Sequence, residues 1–397
     1  MPATQLFADG KGFLSTFDSH APPKLYITGE TGEDEAFDQA TLRQWVDEGF
    51  DVTYLHFNDG GPKYKRLLQG LGNGMGLGEK FAIVAFGDAA SEVLETFLKP
   101  TAKLCALVAY YSSAIPAPGT EFPGSVRLTV HLAGNSQGVR KTPEILGIQG
   151  KRKTVRKRQA TSIGTGGMTS LSYPSYVYEA EPGFAEHDLD EYDKVADRLA
   201  WTRSLATVRK GFGAEVELEK IWEEHVELEF SKKNAEATMS TMVAKPYVNH
   251  VPTLTGGIGS KDLTRFYAHF FIPANPPSLS MRLVSRTIGV DRVVDELVLS
   301  FTHTQPMPWM LPGVPATHKR VEIALVSVVC IRGGKLCHEH IYWDQASVLV
   351  QIGLLDPALV PQKWRGKVDR LPVAGREAAR KVLDEESEPS NELIPEW

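Results

Sequence analysis

The sequence predicts two unlike domains, an α/β domain followed by an α+β domain. Three observations carry that prediction. Over the first half, short apolar strands alternate with segments of helical spacing, the pattern of a sheet with helical crossovers. After Pro277 the helical spacing stops and four strand patterns follow one another. Between the two regions, Gly211 and Gly213 close a long helical segment and mark a boundary. The expected limits are 1–212 and 213–362, with a partly mobile tail over 363–397. At 397 residues the chain has room for two or three domains, and either half can bury a core of its own.

In the first domain, 24–28 reads as a short strand, 34–48 as a helix stopped by Gly49, and 51–57 as a strand. The run FAIVAF at 81–86 is apolar throughout, as in strands covered on both faces. Helical spacing follows over 88–98, then two more apolar strands over 103–111 and 125–132. The glycine-rich stretch 70–78 contains neither G-x-G-x-x-G nor G-x-x-x-x-G-K and precedes its strand, so it reads as a loop. Cys105 lies within an apolar strand and reads as a packed thiol. Six of the eight residues in 151–158 (KRKTVRKR) are basic. They read as a solvated loop, with a nuclear-localisation or anion-binding patch as the alternative. Residues 190–209 form an amphipathic helix pattern.

In the second domain, 218–242 reads as one long helix and 261–271 as a shorter one closed by Pro273. Strands are expected over 280–288, 292–304, 319–331 and 335–342, the last two joined by the Gly333-Gly334 turn. Residues 376–383 supply a short helix in the tail.

The balance of 43 basic against 49 acidic residues excludes a chain that is basic throughout. Three cysteines are too few for a disulfide framework or a four-cysteine zinc site, which points to a reducing compartment. No apolar run reaches the about 18 residues of a membrane helix, and the first residues lack the pattern of a signal peptide. The expected setting is the cytoplasm. The expected partner is a small-molecule substrate, without nucleic acid or membrane.

Residues 20–210 resemble the dienelactone hydrolase branch of the α/β-hydrolases, on FAIVAF with the sharp turn after it, the Tyr110-Tyr111 strand end, and Gly183-Phe184 before a long helix. In that family a nucleophile sits on the strand–turn–helix elbow. Here Gly87 holds that place in Ala85-Phe86-Gly87-Asp88-Ala89-Ala90. No carboxylate stands in His131–Ser136, where the acid is expected, and Pro182 stands at the histidine position. The resemblance therefore implies a hydrolase-like fold without its triad. His187 is the residual candidate for a displaced base, and Asp88 reads as a helix cap.

Residues 215–356 resemble the SnoaL-like polyketide cyclases of the nuclear transport factor two-like superfamily. The resemblance rests on Glu339-His340-Ile341-Tyr342-Trp343-Asp344 with QASVLVQIGLL after it, on Tyr247–Thr253, on Phe266-Tyr267 and on Val294-Asp295-Glu296. It implies an α+β cone with a deep apolar pocket, and chemistry without cofactor or metal. The whole layout resembles fungal fusions of these two domain types, and the superfamily implies a homodimer.

Alternation along a strand puts His338, His340, Tyr342 and Asp344 on one face and Glu339, Ile341 and Trp343 on the other. The first set concentrates ionisable groups, so Asp344 and His340 are expected catalytic residues; the resemblance adds His250, whose Pro-flanked turn it places near the pocket mouth. Asp344 would move a proton, and an imidazole would assist. Trp343, Glu296, Arg286, His303, Tyr267, His338 and Trp309 are expected to hold the substrate. Asp295 and Glu296 point opposite ways on one strand; residue pattern alone leaves both open, and the resemblance favours Glu296. A metal held by His338, His340 and Asp344 or His303 is the lesser alternative, since no H-E-x-x-H or H-x-x-E-H is present. The expected activity is a cofactor-free cyclase or isomerase, extending to dehydration or pericyclic closure, on a small apolar intermediate. A hydrolase using the first domain and a non-catalytic binding protein are the alternatives.

Overall fold

The computed structural model describes residues 22–134 and 171–397, and the backbone of four short strands outside those ranges. The chain divides into two compact units, Met1–Val216 and Glu217–Trp397.

Unit 1 contains β1 (Thr4–Leu6), β2 (Lys24–Gly29), α1 (Gln39–Asp47), β3 (Asp51–His56), α2 (Gly61–Gly70), β4 (Phe81–Phe86), α3 (Gly87–Thr96), β5 (Leu104–Tyr110) and β6 (Arg127–Ala133). It continues with β7 (Glu144–Leu146), β8 (Lys151–Lys153), β9 (Thr165–Met168), β10 (Ser175–Tyr178) and α4 (Lys194–Phe212). Eight of these strands form one mixed sheet in the order β1-β3-β2-β4-β5-β6-β10-β9. Neighbours from β3 through β10 run parallel, and the edge strands β1 and β9 run antiparallel. Every residue of β4 and β5 is buried, which explains their unbroken apolar sequences. Helix α1 starts later than expected because the Asp38 side chain accepts from Ala40 N and fixes the first turn there. Helix α4 runs through Gly211, where a Cβ would stand 2.7 Å from Ala106 Cβ, and stops at Gly213. Of the basic segment, Lys151–Lys153 pairs with β7, and 154–158 lie outside the described residues. The same holds for Asn135 and Ser136 at the expected acid position.

Unit 2 opens with α5 (Leu218–Val226), a π-helical turn (Glu227–Ser231), α6 (Ala235–Ser240), β11 (Met242–His250) and β12 (Thr255–Ile258). It continues with α7 (Ser260–Phe266), a second π-helical turn (Tyr267–Phe271), β13 (Ser280–Ile288), β14 (Arg292–Thr302), β15 (Arg320–Arg332), β16 (Lys335–Trp343), α8 (Gln345–Ile352) and α9 (Glu377–Leu383). The single helix expected over 218–242 is therefore broken. Lys233 takes a positive φ of 51° and the Asn234 side chain caps α6 by accepting from Ala237 N, so the ladder restarts. Met242 already belongs to β11, a strand the sequence pattern concealed because Pro246 interrupts it; the pairing with β16 shifts register between Met242 and Tyr247.

The six strands of unit 2 lie in the order β12-β11-β16-β15-β14-β13. The four C-terminal strands are antiparallel as expected, while β11 joins β16 in parallel. One sheet face, with α5 and both π-helical turns, lines a cavity. Residues 248, 250, 295, 297, 299, 325, 327, 339 and 341 belong to that face. On the outer face, α9 lies against β15, and Arg380 reaches Glu322.

Candidate active site

The cavity of unit 2 measures about 440 Å³, within the size range of small-molecule sites. Its walls are mostly leucines and large apolar side chains, and its polar groups fall into two clusters.

The first cluster centres on His225, which is wholly buried on the inner side of α5. Its Nε2 lies 3.0 Å from Glu229 Oε1 and 3.2 Å from Glu339 Oε1. Its Nδ1 lies 2.6 Å from Thr241 Oγ1, and the Thr241 hydroxyl donates to Thr238 O. With that hydroxyl hydrogen committed, Nδ1 must be the donor to Oγ1. Nε2 faces two carboxylates, so it also carries a hydrogen, and the ring is an imidazolium. Burial pulls the ring toward its neutral form, but Glu229 and Glu339 outweigh it and hold its pKa up at about 10. Burial pushes the Glu229 carboxyl up, against the pull of His225 and of the Tyr267 hydroxyl that donates to it. One cation between two carboxylates leaves a single net negative charge at this end of the cavity. Tyr267 is itself held well above the ordinary phenol range by burial and by both glutamates. The Nε2 hydrogen is aligned with Glu229, so Glu339 Oε1 accepts no aligned hydrogen bond although it is buried.

The second cluster forms the rim. Asp295, 3% exposed, accepts from Trp222 Nε1 at 2.8 Å and from both arms of the Arg286 fork, at 2.7 and 2.9 Å. The third arm of Arg286 reaches Glu219 and Glu223 on α5 at 2.9 and 3.0 Å. These bonds hold the guanidinium charged and tie α5 to the sheet. Between the clusters stands Ser327, a buried cavity residue whose hydroxyl has no partner among the described residues. It pairs across the sheet with Asp295 on one side and Ile341 on the other.

Four of the expected site residues line the cavity: Arg286, Tyr267, Trp309 and His250. His250 is 3% exposed, and burial drives its pKa down to about 3, so the ring is neutral. The Thr255 hydroxyl donates to Trp309 O and accepts from Nδ1, which leaves Nε2 an acceptor. The Trp309 indole donates to Asn275. Trp343 stands behind the lining, with its ring 5.8 Å from His250 and 5.7 Å from Trp309.

The other five lie elsewhere. Asp344 is exposed and caps α8, accepting from Ala346 N at 2.9 Å and from the Ser347 hydroxyl at 2.6 Å. His338 and His340 share the outer face of β16, their rings 5.1 Å apart. Glu296 points outward and accepts from the Ser285 hydroxyl, while Asp295 takes the inner position. His303 is buried beyond the end of β14 and bonds Thr317. For four of them the cause is parity: β16 turns Glu339 and Ile341 inward, and β14 turns Asp295 inward; His303 shares the parity of Asp295 but lies past the last residue of β14. Sequence reasoning passed over His225, Glu229, Glu339 and Ser327. A signal was present in His225 and Glu229, an ionisable pair at i, i+4 on the stripe that carries Trp222.

In unit 1, Gly87 has φ +59°, and a Cβ built there would land on the Glu30 carboxylate, which accepts from Asp88 N at 2.6 Å. Glu30 occupies the place a nucleophile's side chain would take. His187 Nδ1 lies 2.9 Å from Asp38 Oδ2 and Nε2 lies 3.2 Å from Gln44 Nε2. Cys105 is buried, and burial pushes its thiol up to about 12, the state of a packed, unreactive group.

No family model and no curated protein matches this chain. Solved structures do, over about a third of its length. TsrD from Streptomyces laurentii is 16% identical with a TM-score of 0.30, covering 36% of this chain and 100% of its own. A protein assigned as a SnoaL-like polyketide cyclase, from Jannaschia sp. CCS1, is 18% identical with a TM-score of 0.28, covering 35% of this chain and 94% of its own. A protein with a ketosteroid isomerase-like fold from Catenulispora acidiphila, solved with trimethylamine, is 19% identical with a TM-score of 0.27, covering 34% and 94%. Among the described residues, no helix is long and apolar enough to cross a membrane.

Proposed function

We propose that unit 2 is an enzyme that rearranges a small, largely apolar organic molecule by proton transfer, as a cyclase or isomerase. The observation that carries this reading is the pair of buried carboxylates flanking a charged imidazole at one end of an apolar cavity. A buried carboxylate that faces the cavity can accept a proton from a bound substrate. Glu339 has an oxygen with no aligned donor and takes the proton. Glu229 is held by His225 and Tyr267 and retains the imidazolium behind the reacting group. Ser327 donates to the substrate oxygen on which negative charge develops. The apolar walls fix the folded shape that precedes ring closure. Asp344, exposed at its helix cap, has no part in this scheme.

Hydrolysis in unit 1 is the weaker reading, because Gly87 offers no nucleophile and Glu30 fills its place. We read unit 1 as a hydrolase-like scaffold.

The test uses an extract from cells lacking the gene, incubated with purified protein and followed by mass spectrometry. An isomerase or cyclase consumes one compound and yields another of equal mass, or one water lighter for dehydration. Glu339→Gln is expected to lose at least about 100-fold of that turnover while keeping its fold. A product heavier by one water, or full turnover by Glu339→Gln, overturns the reading.

A further inference from the structure

We propose that His225, Glu229 and Glu339 together form a binding site for a divalent first-row transition ion, which takes the place of the Nε2 hydrogen as that proton leaves to solvent. Nε2 of His225 and one carboxylate oxygen from each glutamate all lie within 4.8 Å of one another. The two distances from Nε2, 3.0 and 3.2 Å, are those of adjacent donors around a common centre. Metal bonds of about 2.0–2.2 Å place neighbouring ligands at about that separation.

Three further features belong to a metal site more than to an ordinary ion pair. The first is the Thr241 hydroxyl. It accepts from Nδ1 and is itself anchored on Thr238 O, which fixes the ring with Nε2 toward both carboxylates. Metal-bound histidines are held in this way through their second nitrogen. The second is Glu339 Oε1, an oxygen on a side chain only 4% exposed that accepts no aligned hydrogen bond. Leaving such an anion undersatisfied is costly, and a cation between it and Glu229 removes the cost. The third is access. Both glutamates line the cavity while the histidine lies behind them, so an ion held by three protein ligands keeps open positions facing the cavity. One imidazole and two carboxylates without thiolate suit zinc, cobalt, manganese or iron(II) in preference to copper(I).

The ion would occupy the Glu339 oxygen that the proposed proton transfer needs, so metal loading and that chemistry exclude each other. The site is therefore an inhibitory one, and its existence does not depend on the reaction being assigned correctly.

The whole chain, stripped with a chelator, is titrated with cobalt(II) chloride and then zinc chloride. The expected result is a visible d–d spectrum without a thiolate charge-transfer band, micromolar affinity, and displacement of cobalt by zinc. Glu339→Gln and Glu229→Gln are expected to weaken binding by at least about 100-fold, and Thr241→Val, which keeps all three donors, by about 10-fold. If either glutamine variant fails to fold by circular dichroism, the Thr241→Val comparison and the unaltered protein decide. Affinity weaker than millimolar, a signal that follows Cys337, the half-buried cysteine of β16, or binding unchanged in the folded variants overturns the proposal. None of these readouts needs a substrate, so failure here leaves the proton-transfer reading standing, and the converse holds.

Discussion

Gly87→Ala is the most informative single change in unit 1, because two separable penalties meet at that position. The first is conformational: φ is +59°, a left-handed value that costs a residue with a Cβ about 1 kcal/mol. The second is steric. The new Cβ collides with the end of the Glu30 side chain, which can swing away. In doing so it gives up the bond from Asp88 N that satisfies the first turn of α3, worth about 1 kcal/mol. Gly87→Ala should therefore cost about 2 kcal/mol, and Glu30→Ala about 1 kcal/mol through the same lost bond. The double variant should also cost about 2 kcal/mol, because the cap bond is lost only once. The resulting coupling of about −1 kcal/mol is within reach of a double-mutant cycle in urea, following the unfolding transition of unit 1. Equal costs of Gly87→Ala in both backgrounds would refute the argument that Glu30 is what excludes a side chain from the elbow.

Two further outcomes follow from the geometry. Burial raises Asp38, but hydrogen bonds from His187 and Thr41 outweigh it and bring the carboxyl down to about 2. A depressed carboxyl stabilises the fold above its unfolded value near 4, and the contribution is lost as pH falls through about 2. Asp38→Asn should flatten the acid limb of the stability curve of unit 1 by about 1–2 kcal/mol, measured by urea midpoints across pH. Ser327→Ala removes a buried hydroxyl without a partner, so unit 2 should be unchanged or more stable by up to about 1 kcal/mol. The same variant should slow turnover by at least about 10-fold; a clear loss of stability would mean that the hydroxyl is bonded.

How much of this was legible in the residues depended on which signal each segment carried. FAIVAF read correctly as a doubly covered strand because continuous burial leaves no polar position to misread. The alternation of β16 is equally plain, yet the face it favours is the outer one, away from the cavity. A face with two histidines, a tyrosine and an aspartate looks like chemistry, whereas burial follows the apolar face. Ile341 and Trp343 turn inward and carry Glu339 with them. At β14, Asp295 and Glu296 are equivalent by pattern, and only pairing with Ser327 distinguishes them. The break in the helix after residue 231 was foreshadowed by the polar run Ser231-Lys232-Lys233-Asn234, a cap sequence in the midst of helical spacing. The meeting of Glu339 with His225 joins residues far apart in sequence, and no local rule reaches that far.

The two π-helical turns give the cavity an unusual route of change. A π turn is a helix carrying one residue more than an α-helical ladder would need. Such turns flank the cavity at Glu227–Ser231, which supplies Glu229, and at Tyr267–Phe271, which supplies Tyr267. Deleting one residue from either would restore an ordinary helix and rotate only the side chains within it, leaving every strand pairing intact. A one-residue deletion at either turn thus remodels the pocket locally, a step that in a strand would reverse the whole face.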